Sequence, residues 1–260
     1  MNKDPVRTLL ENGVEWITLD RPEALNAMTV ALLDRLAFVL DEAKANDAVK
    51  AIVITGAGNK AFSAGADIGY LEQASALEVR ELALKAIAVN HQIETLGKVV
   101  IAAINGYALG GGLELAEACT IRIAVRHAML GHPEVRIGAV AGFGGTTRLP
   151  RLIGKGRAAE ILLTGRQITA QEALEYGLVN RMVQPGELLP EAERLAREIL
   201  AQSPIAVRMT WEAIHRGMSA TQQESTQLGA DYFGLVAGTE DFRIGTRSFL
   251  RKTSPAFSGR

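Results

Sequence analysis

Alternating hydrophobic and polar positions open the chain. Val6 to Leu10 and Val14 to Leu19 each alternate between apolar and polar residues, and Asn12-Gly13 lies between them. An Asn-Gly pair between two alternating runs is a strong signal for a β-hairpin. The chain is therefore predicted to begin with two antiparallel strands.

Short apolar runs and helical repeats then follow one another. Apolar, largely β-branched runs predict buried strands at residues 51–55, 99–104 and 121–125. Helical spacing and capping residues predict helices that begin after Thr29, Ser75, Thr169, Ser203 and Ser219. The last of these, opened by Ser219 with Gln222, is expected to be the final long helix. Short buried strands alternating with helices predict an α/β fold with parallel strand pairing.

The pattern changes towards the end of the chain. Beyond residue 150 helices dominate, and near residue 195 the glycine-rich α/β pattern gives way to helix alone. We therefore predict two regions. Residues 1–195 form an α/β core, and residues 196–260 form a helical region.

The amino-acid composition mainly excludes certain classes of protein. The chain has 28 Lys and Arg against 29 Asp and Glu, a net charge of −1, which argues against a protein that coats nucleic acids. The single cysteine, Cys119, allows no intrachain disulfide and favours a reducing, cytoplasmic location. The sequence has no apolar run of about 18 residues, so no membrane span is predicted. The segment Met1 to Pro5 has no apolar stretch typical of a secretory leader.

Two small-residue segments are candidates for ligand binding. Three consecutive glycines, 110–112, precede a helical stretch, and amides at a helix start bind anions or oxyanions. The same glycines would also suit a tight strand-to-helix turn. A dinucleotide-binding fingerprint fails because its third glycine would fall on Leu115. The loop around Ser63 resembles a nucleophile elbow, but Ala61 replaces its first glycine, so a serine hydrolase is not expected.

Glu114 and Glu134 are the candidate acid and base. Alone, each has an ordinary interpretation, as a first-turn helix acid and as a surface turn acid. If they converge on one site, one carboxyl acquires a higher pKa than the other and the pair supplies an acid and a base. His132 lies two residues before Glu134 and either lines this site or is a satisfied loop histidine. The four histidines form no metal-ligand motif, so no catalytic metal is predicted.

Seven stretches together resemble the crotonase, or enoyl-CoA hydratase/isomerase, superfamily. They are residues 19–27, 61–68, 105–114, 133–146, 163–165, 173–179 and 239–250. The resemblance covers nearly the whole chain in the family's order. It implies a spiral of ββα units followed by a helical trimerisation region. It also implies an acyl-CoA substrate and a homotrimer or a hexamer of two trimers. Coenzyme A is then part of the substrate, and no separate cofactor is expected.

The resemblance also implies roles for individual residues. By position, the backbone N–H groups of Ala66 and Gly111 would form an oxyanion hole for a thioester enolate. Glu114 and Glu134 would be the catalytic acids, and the presence of both, twenty residues apart, resembles hydratases more than isomerases. The implied substrate- and CoA-binding residues are Ala24, Leu25, Ala64, Ala66, Asp67, Ile68, Gly69 and Gly111.

Three functions follow as hypotheses. The first is hydration of a 2-enoyl-CoA. The second is another acyl-CoA reaction of this superfamily, by an isomerase or by a hydratase of an alicyclic or dienoyl-CoA. The third is a nucleic-acid-binding or scaffolding member, and the net charge of −1 counts against it. We therefore expect an acyl-CoA substrate and neither a nucleic acid nor a membrane as partner. The chain departs from the family pattern at Leu130, Ala141 and Thr147. These positions are expected near the acyl chain, so they affect which acyl group the protein accepts.

Overall fold

The computed structural model describes residues 4–260. The first three residues, part of the segment in which no leader is predicted, lie outside the described residues. The strands of the described chain are β1 (Val6–Glu11), β2 (Val14–Leu19), β3 (Ala51–Gly56), β4 (Ala61–Ser63), β5 (Val99–Ile104), β6 (Tyr107–Leu109), β7 (Ile121–Val125), β8 (Met129–Gly131), β9 (Gln167–Thr169) and β10 (Arg181–Val183).

Helices follow most of these strands. Single 3-10 turns span Pro22–Ala24, Glu134–Ile137 and Pro185–Glu187. The α-helices are α1 (Val30–Ala45), α2 (Ile68–Gln73), α3 (Ala76–Glu94), α4 (Gly111–Ala118), α5 (Gly145–Ile153), α6 (Lys155–Thr164), α7 (Ala170–Glu175), α8 (Leu188–Leu200), α9 (Pro204–Gly217), α10 (Gln222–Ala237) and α11 (Glu240–Arg251).

The chain folds into two compact units. The first extends to Glu193 and the second runs from Arg194 to Arg260. The division falls inside α8, two residues before the predicted boundary at 195. The role of the second unit in assembly stays a prediction.

The first unit contains a six-stranded sheet in the order β1-β2-β3-β5-β7-β10. β1 and β2 form the predicted antiparallel hairpin, and the other neighbours pair in parallel. Every residue of β3 and β5 is buried, as expected for central parallel strands covered on both faces. The predicted α/β class with parallel pairing is confirmed.

A second sheet, in the order β4-β6-β8-β9, was not predicted from the residues. Each of its strands has three residues, which is too short for a two-residue repeat to be visible in the sequence. β4 lies within the segment from Gly56 to Gly69 that the sequence indicated only as a loop. This small sheet matters for function because β4, β6 and β8 lead directly into the candidate site.

Capping residues begin most of the predicted helices. Ser75 with Glu78 and Thr169 with Glu172 form the predicted capping boxes of α3 and α7. The prediction for Ser219 is wrong. Thr221 caps α10, because its hydroxyl accepts a hydrogen bond from the Glu224 amide at 3.3 Å, and the Glu224 carboxylate accepts one from the Thr221 amide at 2.9 Å. A further helix, α11, follows it. Within residues 4–260 no helix combines the length and apolar character that a membrane crossing needs.

Candidate active site

The segment after β4 places Ala66 beside Met28. The Met28 amide donates to the Gly65 carbonyl at 2.8 Å, and the Asp67 amide donates to the Met28 carbonyl at 3.1 Å. These bonds use groups on either side of Ala66. The Ala66 N–H itself has no acceptor among residues 4–260, so it is available to a ligand.

The start of α4 supplies the second predicted amide. Gly110 precedes the helix with φ +50°, and the Glu114 amide closes the first turn onto the Gly110 carbonyl at 3.0 Å. The Gly111 N–H, like other first-turn amides, has no acceptor within the described chain. A Cβ on Gly65 would lie 3.3 Å from the Gly111 nitrogen. The structure therefore brings the loop that carries Ala66 against the helix start that carries Gly111.

Glu114 lies in the first turn of α4 and is 1% exposed. Its Oε1 accepts hydrogen bonds from the amides of Phe143, at 2.8 Å, and Gly145, at 2.6 Å. Burial raises the pKa of Glu114 to about 7. The Gly145 hydrogen bond and His132 oppose this rise, and nearby carboxylates add to it. From the sequence, repulsion within a pair of acids was the expected cause of such a shift, whereas here loss of hydration is the main cause.

Glu134 is not the surface acid that its position in a turn suggested. Its side chain is 16% exposed, and Pro133 begins the 3-10 turn that carries it. A Cβ on Gly110 would lie 2.8 Å from Glu134 Oε1, so the carboxylate lies directly over this glycine. Glu114 and Glu134 are thus brought to the same end of α4.

A buried histidine and a third carboxylate complete the cluster. His132 Nε2 lies 2.9 Å from Glu117 Oε1, and both side chains are fully buried. His132 Nδ1 lies 3.7 Å from Glu134 Oε1, which is an ion-pair contact longer than a hydrogen bond. Burial by itself would lower the pKa of His132. Glu117 and then Glu134 outweigh that effect and raise it to about 10. His132 therefore lies behind the site, fully buried between Glu117 and Glu134.

Sequence reasoning missed the groups that hold the segment 143–145 in place. The Phe143 carbonyl accepts from Asn90 Nδ2 at 3.1 Å and from Arg148 Nη1 at 3.2 Å. Arg148 also pairs with Glu94 through two hydrogen bonds, of 2.6 and 2.9 Å. Asn90, Glu94 and Arg148 lie on helices, where a polar residue has no distinguishing pattern. Glu117 gave a weak signal, because it and Glu114 are the only charged residues of the short helix α4.

The other predicted binding residues lie on two neighbouring segments. Leu25 has φ +50°, and its carbonyl accepts the Ala64 amide at 3.0 Å. This bond ties the Ala24-Leu25 segment to the loop 64–69. In that loop Asp67 caps α2 and pairs with Arg21 at 3.4 Å, whereas Ile68 and Gly69 are exposed.

Comparison with known structures identifies the fold as that of the crotonase superfamily. An enoyl-CoA hydratase from Bacillus anthracis superposes with a TM-score of 0.95 at 38% identity, covering 98% of this chain and 100% of that one. A second, from Geobacillus kaustophilus, superposes with a TM-score of 0.94 at 37% identity, covering 98% of each chain.

Sequence comparison gives the family. Residues 10–260 match the family described as enoyl-CoA hydratase/isomerase. A crotonyl-CoA hydratase from Syntrophomonas wolfei is 44% identical over 95% of both chains. A short-chain-enoyl-CoA hydratase from Clostridium acetobutylicum is 41% identical over 93% of both. This chain belongs to the enoyl-CoA hydratase/isomerase family, as its motifs implied.

Proposed function

We propose that this protein adds water across the C2=C3 double bond of a short-chain 2-enoyl-CoA thioester. The observation that carries the proposal is the convergence of Glu114 and Glu134 at the start of α4, beside two amides without a protein acceptor. The relatives named as crotonyl-CoA and short-chain-enoyl-CoA hydratases support the substrate class.

The Ala66 and Gly111 amides bind the thioester oxygen in this proposal. As water adds at C3, negative charge moves onto that oxygen, and both N–H groups donate to it. A preorganised donor of this kind is typically worth about 3–4 kcal/mol in the transition state. Support comes from the absence of any acceptor for either amide within the described chain.

The two glutamates hold the attacking water and move its protons. Glu114 Oε1 is occupied by two backbone amides, and its Oε2 accepts no hydrogen bond from residues 4–260. This oxygen is available to a water that Glu134 also contacts. One glutamate takes a proton from the water as the water oxygen bonds to C3, and Glu134 delivers a proton to C2. A pKa of about 7 suits Glu114 to proton transfer near neutral pH, and such a group contributes roughly 10²–10⁴ in rate.

The CoA portion is proposed to lie along the two tied segments, Ala24-Leu25 and residues 64–69. Small and exposed residues there allow the ligand to approach the backbone. Coenzyme A is part of the substrate, and the proposed reaction uses no separate cofactor or metal.

A homotrimer, or a hexamer of two trimers, is the proposed assembly. The second unit supports this because its helices carry large apolar side chains that are more than half exposed in the single chain. They are Ile214, Met218, Phe233, Leu235, Phe249 and Leu250. We also propose a cytoplasmic location, in keeping with the free, buried Cys119.

A product assay tests the proposed reaction. The purified protein is incubated separately with crotonyl-CoA, with a 3-enoyl-CoA of the same length and with butyryl-CoA as the saturated control. We expect 3-hydroxybutyryl-CoA from the first and no change in the last. Conversion of the 3-enoyl-CoA without hydration of crotonyl-CoA would instead assign an isomerase.

A further inference from the structure

The buried pair of His132 and Glu117 has no part in the reaction as proposed above. Glu117 lies one helical turn beyond Glu114 on α4, and its carboxylate contacts the imidazole of His132 at 2.9 Å. The opposite ring nitrogen faces Glu134 Oε1 at 3.7 Å. The ring thus lies between an inner carboxylate and a carboxylate of the site.

This geometry favours protons on both ring nitrogens, because each nitrogen faces a carboxylate oxygen. A neutral imidazole has one N–H, so its other nitrogen would turn a lone pair towards a carboxylate. A buried carboxylate without a counter-charge is also strongly disfavoured. An imidazolium donates towards Glu117 and Glu134 together.

Close packing fixes the ring and leaves one oxygen of Glu134 unused. A Cβ on Gly145 would lie 2.7 Å from His132 Cε1 and 3.1 Å from Glu114 Cγ, so the ring is held against the first site glutamate. Glu134 Oε1 lies between His132 and Gly110. Glu134 Oε2 is buried and has no partner among the described residues.

We propose that His132, held as an imidazolium by Glu117, is a positioning residue that fixes the Glu134 carboxylate in the site through Oε1. The proposal rests on the hydratase function above only for its kinetic consequences. The pairing itself is a property of the folded chain.

Several charged groups face this pair from the elements packed around it. Glu114 and Glu117 come from α4, and Glu134 comes from the 3-10 turn. The Arg148–Glu94 pair between α5 and α3 adds a more distant positive and negative charge. Because these charges lie close together, each variant below changes only one or two residues and keeps side-chain volume similar.

The first test follows the ring itself. Protein labelled with ¹³C at histidine Cε1 is titrated by NMR, and the His132→Gln variant identifies the signal. We expect His132 to stay protonated well above its ordinary pKa of about 6.5. Glu117→Gln and Glu134→Gln should each lower its titration midpoint, with Glu117→Gln giving the larger shift. A wild-type midpoint near 6.5, or no response to Glu134→Gln, would overturn the proposal. These measurements need no turnover, so they remain decisive even if the hydratase proposal fails.

The second test follows catalysis. His132→Gln should reduce kcat for crotonyl-CoA by about 10²-fold, the scale expected when a reacting group is misplaced. The limb of the pH–rate profile that reports ionisation of Glu114 should move to higher pH, because the charge of His132 lowers the pKa of Glu114 and is removed in this variant. A purely space-filling histidine would leave that limb in place. An unchanged profile in a folded variant contradicts the proposal.

Two further variants make these tests specific. His127→Gln removes an exposed histidine between β7 and β8 and should leave both rate and profile unchanged. If His132→Gln does not fold, Glu117→Gln keeps the histidine and still tests the pairing by NMR. Glu117→Gln should change kcat far less when it is added to His132→Gln than when it is made in the wild-type protein. The reason is that His132 and Glu117 act as a unit. Independent, additive effects would refute the pairing.

Discussion

Phe143 packs so closely against Gly111 that a Cβ on Gly111 would lie 2.7 Å from Phe143 Cδ2. A side chain at Gly111 would strain the turn if φ there were positive. Gly111 is not among the positive-φ residues, and the left-handed residue is its neighbour Gly110. Crowding at Gly111 therefore acts through Phe143, whose amide also positions Glu114.

We predict that Gly111→Val reduces kcat by at least about 10²–10³-fold, the loss expected when one oxyanion donor is misaligned. CoA binding, measured by calorimetry, should persist because the proposed nucleotide contacts lie on residues 64–69. In a Gly111→Ala background, Phe143→Leu should recover part of the activity by making room. Near-normal turnover of Gly111→Val would remove this amide from the mechanism. Loss of CoA binding with a native melting profile would mean that the two segments do not act separately.

We expect Glu114→Gln and Glu134→Gln each to lower kcat for crotonyl-CoA by about 10²-fold or more, since each removes a proton-transferring group. Volume is nearly unchanged, so circular dichroism and the melting temperature should indicate an intact fold. Glu81→Gln, on the exposed face of α3, is the matched control and should be silent. If either site variant hydrates crotonyl-CoA at the wild-type rate, its assigned role is wrong.

Glu114 should also make stability depend on pH. Its pKa rises from 4.5 to about 7 on folding, so the native state binds a proton more tightly than the unfolded chain. The contribution is fully present below pH 4.5 and is lost as the pH rises through 7. This loss is on the order of 3 kcal/mol in the free energy of unfolding. Between pH 4.5 and 8, the melting temperature of the wild type should fall more steeply than that of Glu114→Gln. Equal pH slopes would contradict it.

Assembly should depend on the exposed apolar residues of α11. Phe249 and Leu250 are 84% and 81% exposed in the single chain. We predict that Leu250→Glu lowers the molar mass measured by sedimentation, because a charge there opposes burial against another subunit. Thr246→Glu, on the same helix, introduces the same charge at an exposed polar position and should assemble normally. Deleting residues from about 200 onward should give insoluble or monomeric, inactive protein. A soluble, active monomer after that truncation would refute the assembly proposal.

Asp241 should stabilise the end of the second unit. Its carboxylate is buried and accepts hydrogen bonds from the amides of Ser258 and Gly259 and from the Ser203 hydroxyl. Although burial opposes ionisation, these bonds hold the pKa of Asp241 below 3.8. The stabilisation is thus present at neutral pH and is lost as the pH falls through the lowered value.

Asp241→Asn should lower the free energy of unfolding by roughly 1.5–3 kcal/mol, the usual scale for hydrogen bonds to a charged group. The rate of amide hydrogen exchange at residues 258–260 should rise in the same variant. Glu240→Gln, which removes only an exposed ion pair with Arg260, should have a much smaller effect. Equal effects of the two variants would show that the buried carboxylate has no special role.

Features that depend on local or periodic patterns could be predicted from the residues alone. The β1–β2 hairpin, the buried runs of β3, β5 and β7, and the capping boxes at Ser75 and Thr169 were all predictable. Each rests on interactions within a few residues or on one buried face. The family was likewise visible in short motifs spread along the chain.

The candidate site is built from contacts that form only in the folded chain. Three-residue strands such as β4 are defined by partners far away in the chain, so no local pattern predicts them. The environment of Glu114 depends on amides about thirty residues later, and its raised pKa depends on burial. The contact between His132 and Glu117 joins a loop to a helix fifteen residues earlier. A polar residue carries no sign of such partners in sequence, because burial and long-range contact arise only when the chain has folded.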